Sequence, residues 1–202
     1  MHLRMPEEVW CGPVTLAAHC FSNDQTFADF CAANPDFRLE RSPRGEILVM
    51  APAGGEASYR SGGVFGQLNN WAIRDKRGRA FDSSAGFRLA NGAIRSPDAP
   101  CVLNERLATL SKQQKRAFLP LCPYFIIELA CPSDQLTDLR AKMREWIEEG
   151  VECGWLIEPD SRVIEVHRRG RAVETLTGVE RIEGRGVIEG FVLELQDIWA
   201  GL

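Results

Sequence analysis

The stretch 124-YFIIELACPSDQLTDLRAKMREWIEEG-150 decides the fold of this chain. Its first four residues, 124–127, are aromatic or apolar and predict a strand that is buried on both faces. The strand ends on an acid, Glu128. Ser133 or Asp134 is then expected to cap a helix, because these side chains accept hydrogen bonds from the free amides of a first turn. The stretch therefore predicts a strand-to-helix crossover with a carboxylate at the strand end.

The predicted helix has an apolar stripe with intervals of three and four residues, formed by Leu136, Leu139, Met143, Trp146 and Ile147. Such a stripe packs on a sheet, and Gly150 is expected to end the helix as a C-cap. Lys142 lies on the flank of the stripe, where it can lean back toward the preceding strand. A carboxylate at the end of a buried strand needs a cation or hydrogen-bond donors. An acid and a lysine brought together in this way are the first indication of chemistry.

The composition is that of an ordinary globular chain, with 202 residues, 45% of them hydrophobic and 26% charged. This length allows one domain with a sizeable core. The net charge of −4 gives no overall attraction to nucleic acid, so phosphate binding would need a local basic patch or metal ions. The seven cysteines are an odd number with no CxxC pair. This pattern favours reduced thiols and argues against a zinc site.

No apolar run approaches the roughly 20 residues that span a bilayer. The N-terminal region has Arg4, Glu7 and Glu8 close together and lacks a long apolar segment. We therefore expect no membrane contact and no signal peptide, and a cytoplasmic location.

The remaining patterns predict the surrounding elements. Residues 1–25 show no clear periodicity and are expected to be an N-terminal extension, whereas 26–202 are expected to form one domain. Within that domain the patterns predict helices at 26–33 and 56–75, a hairpin around the turn 42–45, and short strands at 80–82, 87–89, 93–95, 101–103, 154–157, 163–167, 172–176 and within 187–198. We predict an α/β fold with a central mixed sheet flanked by helices, an added N-terminal hairpin and C-terminal strands.

A second acid, Asp98, also stands at a strand end. Pro97 fixes the local backbone and keeps Ser96 extended, which would hold Asp98 in a defined direction. Two carboxylates that converge on one point repel each other and suit a divalent cation. With oxygen ligands only, that cation would be Mg²⁺ or Mn²⁺. Such an ion activates water and neutralises charge on a phosphate, and a nearby lysine stabilises the transition state.

This order of residues resembles the PD-(D/E)XK nuclease superfamily, and more closely its Uma-type branch of restriction endonuclease-like proteins. The resemblance covers about residues 26–199 and is carried by an ordered set of segments: FRLER (37–41), GEI (45–47), APAGGE (51–56), FDSSAGFRL (81–89), RSPDA (95–99), Glu128 with PSD (132–134), KM (142–143) and WLIEP (155–159). Each piece alone is weak, whereas the ordered set is specific.

The resemblance implies a restriction-endonuclease-like core, a Mg²⁺-dependent phosphodiesterase site, DNA as the partner and a homodimer. It makes Asp98 and Glu128 the metal ligands and Lys142 the catalytic positive charge. The superfamily's lysine usually stands two residues after the acid, where this chain has Ala130. Lys142 would therefore be a migrated lysine.

Two further acids, Glu40 and Glu56, resemble acids of the family. Glu40 has an alternative interpretation as a solvent-facing hairpin residue, and Glu56 as an acid that stabilises a helix N-terminus.

Two of the three site residues, Asp98 and Lys142, have a structural alternative as well. Pro-Asp is common in turns, so Asp98 can be a turn residue. Lys142 lies four residues after Asp138, the spacing of a routine ion pair on a helix surface. The sequence thus leaves two functions open. One is a metal-dependent endonuclease, and the other is a catalytically impaired, nuclease-like module that binds nucleic acid or forms a dimeric interaction surface.

Overall fold

The computed structural model describes residues 14–16, 21, 23–50 and 52–202. Its helices are α1 (Asp24–Ala32), α2 (Gly55–Asp75), α3 (Asn104–Ala108), α4 (Leu136–Glu149) and α5 (Gln196–Ala200). Its strands are β1 (Val14–Leu16), β2 (Arg38–Arg41), β3 (Ile47–Met50), β4 (Gly78–Ala80), β5 (Phe87–Arg88), β6 (Ile94–Arg95), β7 (Ala99–Leu103), β8 (Phe125–Leu129), β9 (Cys153–Glu158), β10 (Val163–Arg168), β11 (Glu174–Thr177), β12 (Arg181–Glu183) and β13 (Val192–Glu194).

The central sheet has six strands in the order β11-β10-β9-β8-β7-β4. Strands β8 and β9 run parallel, in a register from Phe125↔Cys153 to Leu129↔Ile157, and α4 connects them. The other pairs in this sheet are antiparallel. The predicted mixed sheet with a parallel strand–helix–strand unit is therefore confirmed.

Helices cover both faces of the central sheet because β8 buries both of its faces. Phe125 and Ile127 pack in one core with the apolar side of α2. Ile126 points the other way and packs in a second core with Met143 and Trp146 of α4. This alternation follows from the two-residue period of a strand. The residues that precede and follow Glu128 thus fix its side chain on the α4 face.

A second sheet of five strands, in the order β1-β3-β2-β6-β5, packs beside the first. Its β2–β3 hairpin confirms the hairpin predicted around 42–45. Strand β6 leads through Ser96 and Pro97 directly into β7, so the chain passes from one sheet to the other at residues 96–98. Asp98 lies at this junction.

The start of α4 differs from the prediction. The helix begins at Leu136 with Gln135 as its N-cap, and this cap makes no side-chain hydrogen bond. Ser133 and Asp134 are therefore not the cap. The Asp134 carboxylate instead accepts from the amide of Cys131 at 2.9 Å, which closes a tight turn before the helix. The predicted end is confirmed, because Gly150 has the positive φ of 121° that glycine adopts readily.

Two other predictions shift at the periphery. The strand expected at 80–82 lies at Gly78–Ala80, and Arg181–Glu183 forms a strand that the sequence did not predict. Within the predicted extension 1–25, residues 14–16 pair with β3, and residues 1–13, 17–20 and 22 lie outside the described residues. In the described part of the chain, no helix is both long and apolar enough to cross a membrane.

Candidate active site

Four of the predicted site residues meet where the two sheets join. Strand β7 is antiparallel to β8, so Asp98, which precedes β7, lies beside the end of β8. The backbone amide of Leu129 donates to Oδ2 of Asp98 at 2.9 Å. Glu128 comes from β8, Glu40 comes from β2 of the second sheet, and Lys142 comes from α4. The structure therefore brings Asp98, Glu128, Lys142 and Glu40 into one cluster.

Lys142 is the link between the two sheets. Its Nζ lies 3.0 Å from Oε1 of Glu128 and 3.0 Å from Oε1 of Glu40. The side chain is only 12% exposed, so it does not form the surface pair with Asp138 that its helical spacing allows. One turn further along α4, the indole of Trp146 donates to Oε1 of Glu128 at 3.0 Å. The helix thus supplies one cation and one hydrogen-bond donor to the buried carboxylate of Glu128.

Glu40 is fully buried and well compensated, so its alternative as a solvent-facing residue is wrong. Besides Lys142, it accepts from the amide of Ser96 at 3.0 Å and lies 3.2 Å from the guanidinium of Arg95. Burial acts to raise the pKa of Glu40, but the cations of Lys142, Arg95 and Arg38 outweigh it and lower the pKa to about 2. Glu40 is therefore a permanent negative charge at the base of the cluster.

The surroundings of Glu128 shift its pKa in the opposite direction to that of Glu40. Burial raises the pKa of Glu128 to about 7, although Lys142 acts to lower it, and the charges of Asp98 and Glu40 add to the rise. Burial acts to lower the pKa of Lys142, yet Glu128 and Glu40 hold it above its ordinary value. Lys142 is thus a cation, but its charge is not sufficient to bring the pKa of buried Glu128 down to the ordinary value.

Arg38 is a site residue that was not predicted from the sequence. Its Nη1 donates to Oδ1 of Asp98 at 2.9 Å, its Nη2 donates to the carbonyl of Ser96, and Nη2 lies 3.8 Å from Glu40. Burial acts to lower the pKa of Arg38, but Asp98, Glu40 and Glu128 raise it above its ordinary value. The spacing could have identified Arg38, because residues two apart on a strand share a face and Glu40 was already a candidate.

Two more cluster residues were not singled out as functional. Arg95 bridges Glu40 to Glu145 of α4, with Nη2 2.8 Å from that carboxylate. Trp146 was predicted only as part of the apolar stripe, which its complete burial confirms. A tryptophan one turn after Lys142 was the available signal, because a buried indole N–H usually needs an acceptor.

Glu56 does not join this cluster. It lies in the first turn of α2 and pairs with Arg60 of the same helix at 3.0 Å, with a side chain that is 51% exposed. Among the described contacts it has no hydrogen bond or ion pair with the four clustered residues. An acid in a first helical turn stabilises the positive end of the helix, which is the alternative that the sequence allowed.

The chemistry of the cluster fits a magnesium ion in part. Mg²⁺ keeps several waters and is usually bound through one or two carboxylates. Asp98 and Glu128 supply two, and Oε2 of Glu128 has no donor from any residue that the structure describes. No group of three or more His, Cys, Asp or Glu side chains in the described ranges is arranged to hold a metal. Asp98 and Glu128 are thus a set of two carboxylates, which is the number that Mg²⁺ usually takes, although Arg38 holds one oxygen of Asp98.

Two comparisons with known proteins bear on the family and on the fold. The family model Uma2, described as "Putative restriction endonuclease", matches residues 24–196. The fold is similar to the crystal structure of a protein described as a putative nuclease belonging to DUF820 from Anabaena variabilis, with a TM-score of 0.69 and 17% sequence identity. That likeness covers 80% of this chain and 89% of the other, and it confirms the predicted fold class. No curated protein matches the chain.

Proposed function

The chain belongs to the Uma2 family of putative restriction endonucleases, and from that premise we propose that it is a Mg²⁺-dependent endonuclease that hydrolyses phosphodiester bonds of DNA. The observation that carries the proposal is the convergence of Asp98, Glu128 and Lys142, three residues from separate elements, on one cluster. A buried carboxylate with a raised pKa beside a lysine is typical of a functional site.

Each residue of the cluster has a role in this proposal. Asp98 and Glu128 would hold the ion, with Mn²⁺ as a substitute for Mg²⁺. When bound, the ion supplies an activated water and neutralises charge on the phosphate. Lys142 provides a fixed positive charge toward the reacting phosphate. Glu40 orients Lys142 through the 3.0 Å contact, and Trp146 orients Glu128 while it keeps water out of the core beneath.

The direct experiment is cleavage of supercoiled plasmid with Mg²⁺, with Mn²⁺ and with EDTA. We expect nicked and linear products with either metal and none with EDTA. Asp98→Ala and Glu128→Ala should abolish cleavage, and calorimetric titration should show loss of Mn²⁺ binding in both variants. Glu56→Ala is the matched control, because it removes a carboxylate outside the cluster. Unchanged Mn²⁺ binding in both site variants would exclude this metal site.

One observation favours the second function. Both oxygens of Asp98 accept hydrogen bonds from the protein, one from Arg38 and one from the amide of Leu129. A carboxylate satisfied in this way can serve structure alone, as expected of an impaired nuclease-like module that only binds nucleic acid or a second copy. DNA binding without cleavage at any divalent metal concentration would support this alternative.

We also propose that the protein works as a homodimer in the cytoplasm. The five described cysteines are all free thiols, which suits a reducing compartment. Light scattering after size-exclusion chromatography tests the dimer directly, and a monomeric mass at every concentration would contradict it.

A further inference from the structure

Arg38 neutralises Asp98 from the side of the second sheet. Its Nη1 donates to Oδ1 of Asp98 at 2.9 Å, and Oδ2 is already held by the amide of Leu129 at 2.9 Å. Among the cations that the structure describes, Arg38 alone pairs with this carboxylate. Oδ1 keeps a second lone pair, but a divalent ion bound there would lie close to the guanidinium, and the two positive charges would repel each other.

Arg38 is also the cation that can leave most easily. Its side chain is 30% exposed, compared with 12% for Lys142 and 13% for Arg95. Its Nε has no hydrogen-bond partner within the described part of the chain. Lys142 and Arg95 would continue to hold Glu40, and Lys142 would continue to hold Glu128. Withdrawal of Arg38 would therefore uncover Asp98 without dismantling the rest of the cluster.

We propose that Arg38 is an internal counter-ion, which occupies the Asp98 side of the metal site and competes with the divalent cation. This inference rests on the proposed metal-dependent function. In the metal-free protein Arg38 already supplies positive charge to Asp98, at the position where the ion would bind. A divalent ion brings excess positive charge and repels the guanidinium, which swings outward to solvent. Metal affinity is set by this exchange.

Calorimetric titration of Mn²⁺ without nucleic acid tests the exchange. Arg38→Gln should bind Mn²⁺ about ten- to hundred-fold more tightly than the native chain, because the ion no longer has to displace a hydrogen bond between charged groups. The amide of Leu129 keeps Asp98 in place in this variant. Equal or weaker binding by Arg38→Gln would overturn the proposal.

Arg95→Gln is the matched control. It removes the same charge from the same cluster, but Arg95 pairs with Glu40 and Glu145 and not with Asp98. We expect a clearly smaller gain in affinity from this variant. An equal gain would show that overall charge, and not release of Asp98, controls binding, and it would also overturn the proposal.

If Arg38→Gln fails to fold, Arg38→Lys is the variant that tests the proposal. Lysine keeps the positive charge but lacks the planar guanidinium, which contacts Asp98 and the Ser96 carbonyl at the same time. Mn²⁺ binding should therefore tighten several-fold. Unchanged binding would reject the competition. Absence of Mn²⁺ binding in the native chain and every variant would remove both the inference and the metal site. Plasmid cleavage by the native chain, with no tighter binding in Arg38→Gln, would reject the inference alone and leave the nuclease function standing.

Discussion

Helix α4 covers two groups of charged residues on the same face of the central sheet, and they differ in their access to water. In the inner group, Lys142 meets Glu128 and Glu40, whose side chains are 3% and 0% exposed. In the outer group, Arg140 meets Glu158 and Glu165 at 3.3 and 2.7 Å. Arg140 is 41% exposed, and His167 lies 3.2 Å from Glu165.

The two groups are neighbours in the sheet. Glu128 is paired with Leu156 in the parallel ladder, and Leu156 is paired with Glu165 in the antiparallel one. The fully buried Leu156 therefore separates them by one strand. The carboxylates of both groups are largely buried, whereas Lys142 is 12% exposed and Arg140 is 41% exposed. Burial of the cation therefore distinguishes the candidate catalytic group from a structural ion pair.

Removal of the indole that shields the inner group should produce the largest effect. Trp146→Ala should lower the free energy of unfolding by about 3–5 kcal/mol, because the ring is completely buried. It should also admit water to Glu128 and bring the pKa of that carboxyl down toward its ordinary value. Denaturant titration measures the first change, and a midpoint equal to that of the native chain would show that α4 does not pack as described. Trp146→Phe, which keeps a ring, is the control.

Replacing each of the two α4 cations, Lys142 and Arg140, with alanine should have different effects on nuclease activity. Lys142→Ala should lower plasmid cleavage by about 10²–10³-fold, as loss of one preorganised charge does. Arg140→Ala should change it by less than about threefold, because an exposed pair contributes little. Equal losses in the two variants would contradict the distinction between the groups.

Lys142→Ala should also reduce stability, unlike the loss of a surface pair with Asp138. The variant leaves Glu128 without its cation, and a buried carboxyl without a partner takes up a proton. Thermal melting of Lys142→Ala beside Lys142→Met, which restores the buried volume, separates the lost charge from the lost packing. A melting temperature unchanged in both would mean that Lys142 is exposed.

The two acids of the inner group should have opposite effects on the pH dependence of stability. Between pH 4.5 and about 7, folded Glu128 retains a proton that the unfolded chain has released, so rising pH favours unfolding. Glu128→Gln should remove this loss of stability. Folded Glu40, with its pKa of about 2, contributes stability above pH 4.5 that is lost as pH falls toward 2. Glu40→Gln should therefore be less stable than the native chain at neutral pH.

Urea titrations across this pH range, in EDTA, measure both differences. The Glu128→Gln curve should diverge upward from the native curve above pH 4.5, whereas the Glu40→Gln curve should approach it in acid. Parallel curves for all three proteins would show that neither carboxyl is perturbed by burial.

The outer group should respond least. Arg140→Ala should cost less stability than Lys142→Ala, and part of that cost should disappear in about 1 M salt, because the Arg140 side chain is 41% exposed. A loss of stability that persists in full at high salt would contradict the proposed difference between Arg140 and Lys142.

The sequence predicted the parts of this fold that depend on local pattern. The strand buried on both faces that ends at Glu128, the stripe of α4 and the C-cap at Gly150 all follow from pattern and residue type, and the structure confirms them. The cap predicted at Ser133 or Asp134 is wrong, because the Asp134 carboxylate accepts instead from the amide of Cys131. Side-chain competition of this kind cannot be decided from spacing alone.

Contacts across the two sheets were beyond local pattern. Arg38 meets Asp98 across 60 positions of sequence, and Arg95 meets Glu145 across 50. Periodicity gives the face of a strand on which a side chain lies, but it does not give the neighbour on another sheet. Lys142 was assigned correctly to the flank of its helix, while its burial depended on the unpredicted position of Glu40.

The link from Glu40 to Lys142 spans 102 residues, and this separation has a consequence for how the protein is made. Contacts so distant along the chain close late in folding, since the loop between them must first be ordered. During synthesis, a ribosome-bound chain that has not yet emerged beyond α4 has Glu40 and Asp98 without the lysine. The buried cluster therefore cannot assemble before Lys142 has left the ribosome.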